Sequence, residues 1–406
     1  MLRIVRLCSV FEVPAAALDG RGARFDPVGG MQNHTGCLTR ALDGRAVRQD
    51  VVTSRRPGAP RRERLGRAAT VHRLGLPIRT ARQLYAPFAA GELARLCRDA
   101  DLLHAHLGED LAVVPLAVTA ARRAQIPLVL TVHMSLAHTL DCPGLRARFL
   151  RAAGGRLERA GVRRADAVIA LTRRLANVLE APGTPHGRVH VIPSGVVPAE
   201  FAAAGRPDPL AGLPRPRVVF VGRLAEQKGV DTLLEAAARL PDAAVGIVGD
   251  GPLRDALERQ AAALGLGERV TFTGFRPHED VPAVLAGADV LVVPSRYEEL
   301  GTVLLEGMQA GVPIVASDVG GIGEALGSAG LLVPPGEPDA LAAAVDAVLR
   351  DPALAARLRA AGRERAGRFD WSVLAARVHG VYESVLGGVR APVGRAPAPA
   401  RQITPV

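Results

Sequence analysis

The sequence is poor in aromatic residues and has a single lysine. Phe, Trp and Tyr together make up 3% of its 406 residues, and Lys228 is the lone lysine among 51 basic residues. The arginines that give the formal net charge of +11 are spread along the chain, and Tyr and Trp do not interleave with them. This distribution predicts a solvated arginine surface and no nucleic-acid partner, and it leaves open a peripheral contact with anionic lipid headgroups at a membrane.

Long apolar runs and paired cysteines are also missing. No segment approaches the roughly 20 apolar residues that span a bilayer, and Arg6 and Glu12 interrupt the N-terminal run that could be mistaken for a signal peptide. The cysteines are widely spaced without a CxxC pair, which fits a reduced compartment and argues against a zinc site. We therefore expect a cytoplasmic protein.

Short apolar runs alternate with longer helical patterns, which is typical of parallel sheets covered by helices on both faces. A first series of predicted strands comprises residues 2–10, 49–53, 102–105, 128–132, 167–170 and 189–192. A second series comprises residues 217–221, 244–248, 270–273, 290–293 and 314–316. The pattern predicts an α/β protein with two doubly wound lobes, and ligands are expected where the strands end at the cleft.

A Pro-rich stretch at residues 198–216 separates the two series and suits an interdomain linker. We expect a first lobe over residues 1–200 and a second over 201–370. Residues 391–406 are rich in Pro and Ala, which predicts a disordered tail.

The strongest local motif follows the predicted strand at residues 290–293. Gly301 opens a helix there, so the N–H groups of Gly301, Thr302 and Val303 are free to bind an anion. Glu298 and Glu306 flank this turn, and carboxylates accept paired hydrogen bonds from the vicinal hydroxyls of a ribose or a hexose. The alternative is an exposed helix start with favourable acids near its N-terminus.

Another motif follows the first strand of the second lobe, where Arg223 and Lys228 lie on one loop. A chain that uses arginine elsewhere has a compact ammonium here, which points to a phosphate contact. Arg223 could add a forked contact to the same group. The alternative is a solvated pair of basic side chains.

On the first lobe, Gly29 and Gly30 precede a helical pattern and would let a ligand approach the backbone closely. His133 ends the predicted strand at residues 128–132 and would point into the same cleft. Taken alone, the glycine pair is better explained by a turn, and the histidine by a strand-end side chain whose hydrogen bonds are satisfied within the protein.

Several metal and cofactor signals are set aside. Asp99 and Asp101 have the DxD form that binds metal in some sugar transferases, but they precede a strand, where a structural role is favoured. His104 and His106 share a strand face without an evident third ligand. No GxGxxG fingerprint follows a first strand, and Lys228 lies on a loop unsuited to a pyridoxal Schiff base. We expect no metal and no cofactor.

Together, these motifs resemble the family-4 group of retaining GT-B glycosyltransferases, and the likeness runs over nearly the whole chain. Glu298 and Glu306 stand at the EX7E spacing of that family, and the loop with Arg223 and Lys228 looks like its donor-phosphate motif. Further landmarks are found at residues 29–31, 133, 192–196 and 369–371.

The resemblance implies a role for each residue. Arg223 and Lys228 would hold the donor diphosphate, Glu306 the ribose, and Glu298 the transferred sugar. Gly30 would approach the diphosphate, and His133 would line the reaction centre. The segment Gly274, Phe275 and Arg276 is similar to the one that receives the base, and residues 371–390 would form a helix that crosses back to the first lobe. Ser194 and the pair Glu299 and Leu300 depart from the usual family residues, and the pair puts the choice of donor sugar in doubt.

Enzymes of this group retain the anomeric configuration without a carboxylate nucleophile. By this resemblance, the leaving diphosphate would take the acceptor proton, and Arg223, Lys228 and helix N–H groups would stabilise its charge in place of a metal.

The acceptor is expected against the first lobe, near polar residues that seek hydroxyl and ammonium groups. These residues are Gln32, Asn33, Glu109, Asp110, His133, His138 and Asp141. The first lobe loosely resembles actinobacterial cyclitol transferases, including those of mycothiol and aminoglycoside antibiotic biosynthesis. We expect transfer of a hexose or an N-acetylhexosamine from a nucleoside-diphosphate sugar, with UDP-N-acetylglucosamine favoured, and a small polar cyclitol or aminocyclitol as the acceptor. A lipid-linked or polysaccharide acceptor is the alternative.

Two other interpretations stay open. A different GT-B enzyme, such as a nucleotide-sugar epimerase or a phosphorylase, would share both lobes and the phosphate site. A non-catalytic basic protein that binds membrane or nucleic acid would use the arginines alone and would show a steep salt dependence.

Overall fold

A computed structural model describes residues 1–12, 29–77, 82–108, 110–135, 145–180, 187–202 and 206–390. Two separate sheets organise this part of the chain. The proposed tail at residues 391–406, and Glu109, His138, Asp141 and Cys142, lie outside it.

The first sheet has eight strands in the order β3-β4-β2-β1-β5-β6-β7-β8. All neighbours are parallel except β3, which runs antiparallel to β4. The strands are β1 (Leu2–Cys8), β2 (Val47–Ser54), β3 (Arg62–Leu65), β4 (Ala69–Leu74), β5 (Leu102–Leu107), β6 (Leu128–Val132), β7 (Ala167–Ala170) and β8 (Val189–Val191). The strand order reverses between β1 and β5, which is where a doubly wound sheet opens a binding crevice.

The second sheet has six parallel strands in the order β11-β10-β9-β12-β13-β14. They are β9 (Arg217–Val221), β10 (Ala244–Val248), β11 (Val270–Gly274), β12 (Val290–Val293), β13 (Ile314–Ser317) and β14 (Gly330–Val333). Here the order reverses between β9 and β12, the two strands that precede the proposed donor motifs.

Helices cover both sheets. In the first lobe they are α1 (Gly30–Asp43), α2 (Ala86–Leu96), α3 (Val113–Ala124), α4 (Leu145–Arg164) and α5 (Arg173–Leu179), followed by α6 (Pro198–Ala202). The later ones are α7 (Val230–Ala237), α8 (Arg254–Ala263), α9 (Val281–Ala286), α10 (Thr302–Ala310), α11 (Ile322–Leu326), α12 (Pro338–Arg350), α13 (Pro352–Ala366) and α14 (Trp371–Arg390). None of these helices is both long and apolar enough to cross a bilayer.

The predicted fold class is confirmed, and every strand expected from an apolar run is found. Strands β3, β4 and β14 were not predicted from the sequence. Strand β3 has the sequence RERL and alternates exposed and half-buried residues at the sheet edge, so it has no apolar run. The arginines of β3 were interpreted only as part of a solvated surface, whereas their backbone forms the edge strand of the first sheet, paired with β4.

The last helix, α14, packs on the first sheet. Trp371, Leu374 and Tyr382 are buried in a cluster that includes Ile4 of β1 and Val129 of β6. The first lobe is therefore completed by a segment that follows the second lobe in the chain.

The Pro-rich stretch at residues 198–216 is partly packed. Leu210 and Leu213 are buried in the core of the second lobe, and the guanidinium of Arg217 donates to Asp208 over 2.9 Å. These contacts attach the end of the stretch to the second sheet.

Candidate functional site

Glycines shape the turn that carries Arg223. A Cβ on Gly249 would lie 1.8 Å from the carbonyl oxygen of Gly222, and one on Gly251 would lie 2.3 Å from that of Leu224. Both distances are far below van der Waals contact, so the end of β10 can press against the loop after β9 only with glycine at these positions. The Gly-Asp-Gly segment, which the sequence analysis treated as a tight turn, thus supports the loop of Arg223.

Arg223 itself is left without a carboxylate partner by the described residues. Its Nε is buried and makes no hydrogen bond there. A buried guanidinium donor without an acceptor is costly, and an anion such as a phosphate would satisfy it.

Lys228 and Glu298 form an ion pair that joins the two predicted motifs. The Nζ of Lys228 contacts Oε2 of Glu298. The loops that carry them also touch through the backbone, since a Cβ on Gly229 would lie 2.0 Å from the carbonyl oxygen of Pro294. The ammonium and carboxylate are therefore held close together at the ends of β9 and β12.

Glu306 is buried on α10, one turn after the helix begins. Burial raises the pKa of its carboxyl group, and the nearby His278 opposes this by lowering it. Oε1 of Glu306 lies 3.7 Å from Nδ1 of His278. Gly301, which precedes the helix, has a φ of 76°, a backbone conformation that favours glycine.

His278 is a part of the site that the sequence analysis did not identify. It follows the segment Gly274 to Arg276 and lies between Glu306 and Glu200, with Nε2 at 3.7 Å from the Glu200 carboxylate. Burial lowers its pKa, but these acids outweigh burial and raise the pKa to about 9. The ring is therefore protonated near neutral pH and offsets the buried charge of Glu306.

The two lobes meet at the start of two helices. A Cβ on Gly30, the first residue of α1, would lie 3.4 Å from the side chain of Thr302, the first residue of α10. The side chain of Gln32 accepts from the N–H of Gly29, just before α1, and no other side chain of the described residues caps either helix start. In the same region, the side-chain amide of Asn33 lies 3.1 Å from Nδ1 of His278. Helix N-termini that converge in this way favour an anion.

A buried cluster of histidines lies beneath this point in the first lobe. Nδ1 of His106 is 3.1 Å from Nε2 of His133, and Nη2 of Arg6 is 2.8 Å from Nε2 of His106. Burial, the largest cause, and then Arg6 lower the pKa of His133 to about 3. His133 is therefore neutral at physiological pH.

Nitrogen atoms of His34, His106 and His133 are close enough together to hold a metal ion. The guanidinium of Arg6 directly contacts one of these rings, however, and would repel a cation bound there. The residues present therefore fit a metal poorly.

Two glutamates hold the lobes together. Glu299 accepts hydrogen bonds from Oγ1 of Thr172 at 2.7 Å and from Arg174 at 3.2 Å. Glu324 accepts from the backbone N–H of Arg173 at 2.8 Å. From the sequence, Glu299 stood out only as a departure from the family, because its partners lie in the other lobe and no local signal indicates them.

The remaining predicted residues are placed as follows. Gly274 is buried with a φ of 75°, Phe275 is half-buried and Arg276 is exposed. Asp101 lies at the amino end of β5, where its carboxylate accepts from the N–H of Arg3, so it faces away from the strand ends that form the site. Among the proposed acceptor residues, Gln32 and Asp110 are buried in the first lobe.

Both halves of the chain match known protein families. Residues 28–200 match the model described as Glycosyltransferase Family 4, and residues 206–365 match Glycosyl transferases group 1. The chain is 36% identical over 380 residues to a 2-deoxystreptamine glucosyltransferase from Streptomyces kanamyceticus, covering 87% of this chain and 98% of the relative.

A 2-deoxystreptamine N-acetyl-D-glucosaminyltransferase from Streptomyces fradiae is 35% identical, with 86% of this chain and 88% of the relative covered. Among solved structures, a sucrose-phosphate synthase from Thermosynechococcus elongatus superposes with a TM-score of 0.80 over 96% of this chain and 100% of that one, at 25% identity.

Proposed function

The chain belongs to the glycosyltransferases with family 4 and group 1 domains, and on this premise we propose that it glycosylates an aminocyclitol. The donor is a nucleoside-diphosphate sugar, with UDP-N-acetylglucosamine favoured. The reaction retains the anomeric configuration and needs no metal.

The observation that carries this proposal is the meeting of α1 and α10. Their N-termini approach across the lobes at Gly30 and Thr302, where no side chain of the described residues accepts from the N–H groups of the first helical turn. Arg223 supplies a buried guanidinium atom without a partner among the described residues. A diphosphate matches this arrangement, because it accepts hydrogen bonds from both helix ends and from a guanidinium.

We assign the rest of the donor to the other predicted donor residues. Glu306, buried and one turn into α10, accepts hydrogen bonds from the ribose hydroxyls. Glu298 exchanges its contact with Lys228 for the hydroxyls of the sugar, which frees the ammonium for the diphosphate. The segment Gly274 to Arg276 lies beside the base.

In the transfer step, the bond between the anomeric carbon and the leaving diphosphate oxygen breaks while the acceptor oxygen bonds to that carbon on the same face. The acceptor proton passes to the leaving oxygen, which gives a glycoside and a nucleoside diphosphate. Arg223, Lys228 and the helix N–H groups stabilise the growing negative charge. His133, neutral and bordering this region, lines the reaction centre.

The acceptor class is supported by the relatives named above, which are described as 2-deoxystreptamine transferases at 36% and 35% identity. One is named for glucose and the other for N-acetylglucosamine, so both donors belong in the test. The polar residues Gln32, Asn33 and Asp110 of the first lobe suit an acceptor with hydroxyl and ammonium groups.

The test is to incubate purified protein with 2-deoxystreptamine, inositol and a lipid-linked sugar, each paired with UDP-N-acetylglucosamine, UDP-glucose and GDP-mannose. We expect release of nucleoside diphosphate and an α-linked product with the aminocyclitol, unchanged by EDTA. Transfer only to the lipid-linked acceptor, a β-linked product, or dependence on added Mg²⁺ would each refute the corresponding part of the proposal.

A further inference from the structure

Arg6, in the middle of β1, is fully buried although it carries a positive charge. Its guanidinium lies 3.3 Å from the carbonyl oxygen of Thr35, 3.4 Å from Oε1 of Gln49 and 2.8 Å from Nε2 of His106, and it also contacts Oγ1 of Thr39. No carboxylate is among these partners. A buried charge held only by neutral acceptors is costly to stability, so this position calls for a functional explanation.

The guanidinium fixes where His106 carries its proton. Arginine only donates hydrogen bonds and stays protonated in proteins. Nε2 of His106, at 2.8 Å from the guanidinium, must therefore be the unprotonated acceptor. The ring proton is left on Nδ1, because a neutral imidazole protonates one nitrogen at a time.

The position of the proton on His106 then determines which nitrogen of His133 is protonated. Nδ1 of His106 lies 3.1 Å from Nε2 of His133, so the proton on His106 makes it the donor and Nε2 of His133 the acceptor. His133 must carry its own proton on Nδ1. The described residues offer that nitrogen no hydrogen-bond partner.

We propose that Arg6 is a positioning residue that acts through His106 to hold His133 as a neutral Nδ1–H donor at the reaction centre. The inference rests on the proposed function for the role of His133, but the order of the hydrogen bonds does not. His133 is then available to donate to a substrate oxygen and is unable to take a proton at Nε2, which His106 occupies.

The neighbouring rings of His104 and His34 make no hydrogen bond to His133 that could set its tautomer instead. His104 uses both its nitrogens within the lobe, with Nδ1 at 2.7 Å from the hydroxyl of Tyr382 and Nε2 at 2.7 Å from Oγ1 of Thr131. Nδ1 of His34 is 3.1 Å from Oγ of Ser194, and its ring packs edge-on against His133 without a hydrogen bond.

The proposal is tested by two-bond ¹H–¹⁵N NMR of histidine-labelled protein, which distinguishes the two neutral tautomers. The signals of His106 and His133 are assigned from His106→Gln and His133→Gln. We expect both rings to be protonated on Nδ1 in the wild-type protein. Finding His133 protonated on Nε2 would overturn the proposal.

Three variants test the connection. Arg6→Met removes the donor at similar length, and His106→Leu removes the relay, so each should leave His133 as a mixture of tautomers. His106→Gln keeps one acceptor and one donor in line and should retain the Nδ1–H form of His133. His104→Gln, on the same strand but outside the relay, is the control and should leave the tautomer unchanged.

Turnover gives the second measurement. Losing one oriented hydrogen bond should lower kcat about tenfold in Arg6→Met and His106→Leu, with little change in donor KM, and His106→Gln should recover most of it. A single Nδ1–H tautomer of His133 in Arg6→Met would overturn the proposal, as would a loss of kcat in His106→Gln equal to that in His106→Leu. If Arg6→Met fails to fold, the wild-type spectrum and the two His106 variants still decide.

These outcomes separate the relay from the proposed function. A wild-type protein with the expected tautomers but no glycosyl transfer would contradict the function and leave the relay in place. Transfer activity with the opposite tautomer would do the reverse.

Discussion

The two lobes prepare the cleft by different means. In the second lobe, the charged side chains Arg223, Lys228 and Glu298 are partly accessible and stand on turns that only glycine permits. In the first lobe, the polar groups Arg6 and His106 are fully buried within the sheet layer. Arg6 is held by hydrogen bonds to neutral acceptors, and His106 lies between the guanidinium of Arg6 and the ring of His133.

This difference fits the two ligands proposed above, a nucleoside-diphosphate sugar and an acceptor hydroxyl. A diphosphate needs charge that can rearrange as it binds and leaves, and the pair of Lys228 with Glu298 can open to provide it. An acceptor hydroxyl needs a fixed donor or acceptor atom, and a buried network supplies fixed geometry at a cost to stability. Substitutions of the residues named here test this difference between the lobes.

The largest effect is expected from Arg223→Ala and Lys228→Ala. Each removes positive charge from the leaving diphosphate, whose charge grows in the transition state, so kcat should fall about 10²–10³-fold with a smaller change in donor affinity. Steady-state kinetics and calorimetric titration with UDP measure the two quantities. Arg239→Ala, which removes an exposed arginine of the same lobe, is the control. Equal losses in kcat and in UDP affinity would contradict a role in the transition state.

Glu306→Ala should lower kcat/KM about 10- to 100-fold, because a charged hydrogen bond to the ribose is worth about 1.5–3 kcal/mol. The fold should persist, as judged by circular dichroism. Glu364→Ala on the exposed face of α13 is the matched control. Wild-type UDP affinity in Glu306→Ala would show that this carboxylate does not contact the nucleotide.

Gly320→Ala tests whether the donor turns depend on glycine. Gly320 has a φ of 58°, and a Cβ there would lie 1.6 Å from the carbonyl oxygen of Glu298. Gly336, with a φ of 76° and no atom within 4 Å, has the backbone requirement without the clash. Thermal or urea unfolding should show Gly320→Ala to be less stable than Gly336→Ala by about 1–3 kcal/mol. Equal unfolding free energies would remove the steric argument.

The smallest effect concerns His278. Its pKa is raised from an ordinary value of about 6.5 to about 9 by Glu306 and Glu200, which together outweigh burial. The folded protein binds more protons than the unfolded chain between these values, so this contribution to stability is complete below pH 6.5 and lost as pH rises through about 9. Urea unfolding across this range should show a steeper decline for wild type than for His278→Gln. Parallel curves would contradict the raised pKa.

The features that could be predicted from the sequence are those that depend on residues close together in the chain. Parallel strands buried on both faces read as apolar runs, and the spacing of Glu298 and Glu306 around Gly301 follows from one strand, turn and helix. Arg6 was noted only as an interruption of an apolar run. Its partners come from α1, β2 and β5, and local sequence carries no sign that these elements meet at one side chain.

The contacts between lobes were beyond local patterns for the same reason. Glu299 stood out only as an unusual residue. Its carboxylate accepts a hydrogen bond from Thr172, which lies more than a hundred positions earlier in the chain. His278 was overlooked because it follows the segment expected to receive the base, and only the fold brings Glu200 and Glu306 to either side of its ring.

The position of α14 has a consequence for how the protein is made. The last strand of the first sheet ends at Val191, but Trp371, Leu374 and Tyr382 are needed to complete its apolar core. The whole second sheet is synthesised between these two parts of the chain. The second lobe can therefore fold during synthesis while the first lobe still exposes apolar residues to solvent and to chaperones. Chains interrupted before this helix would carry a complete second sheet beside a first lobe whose apolar core is left exposed.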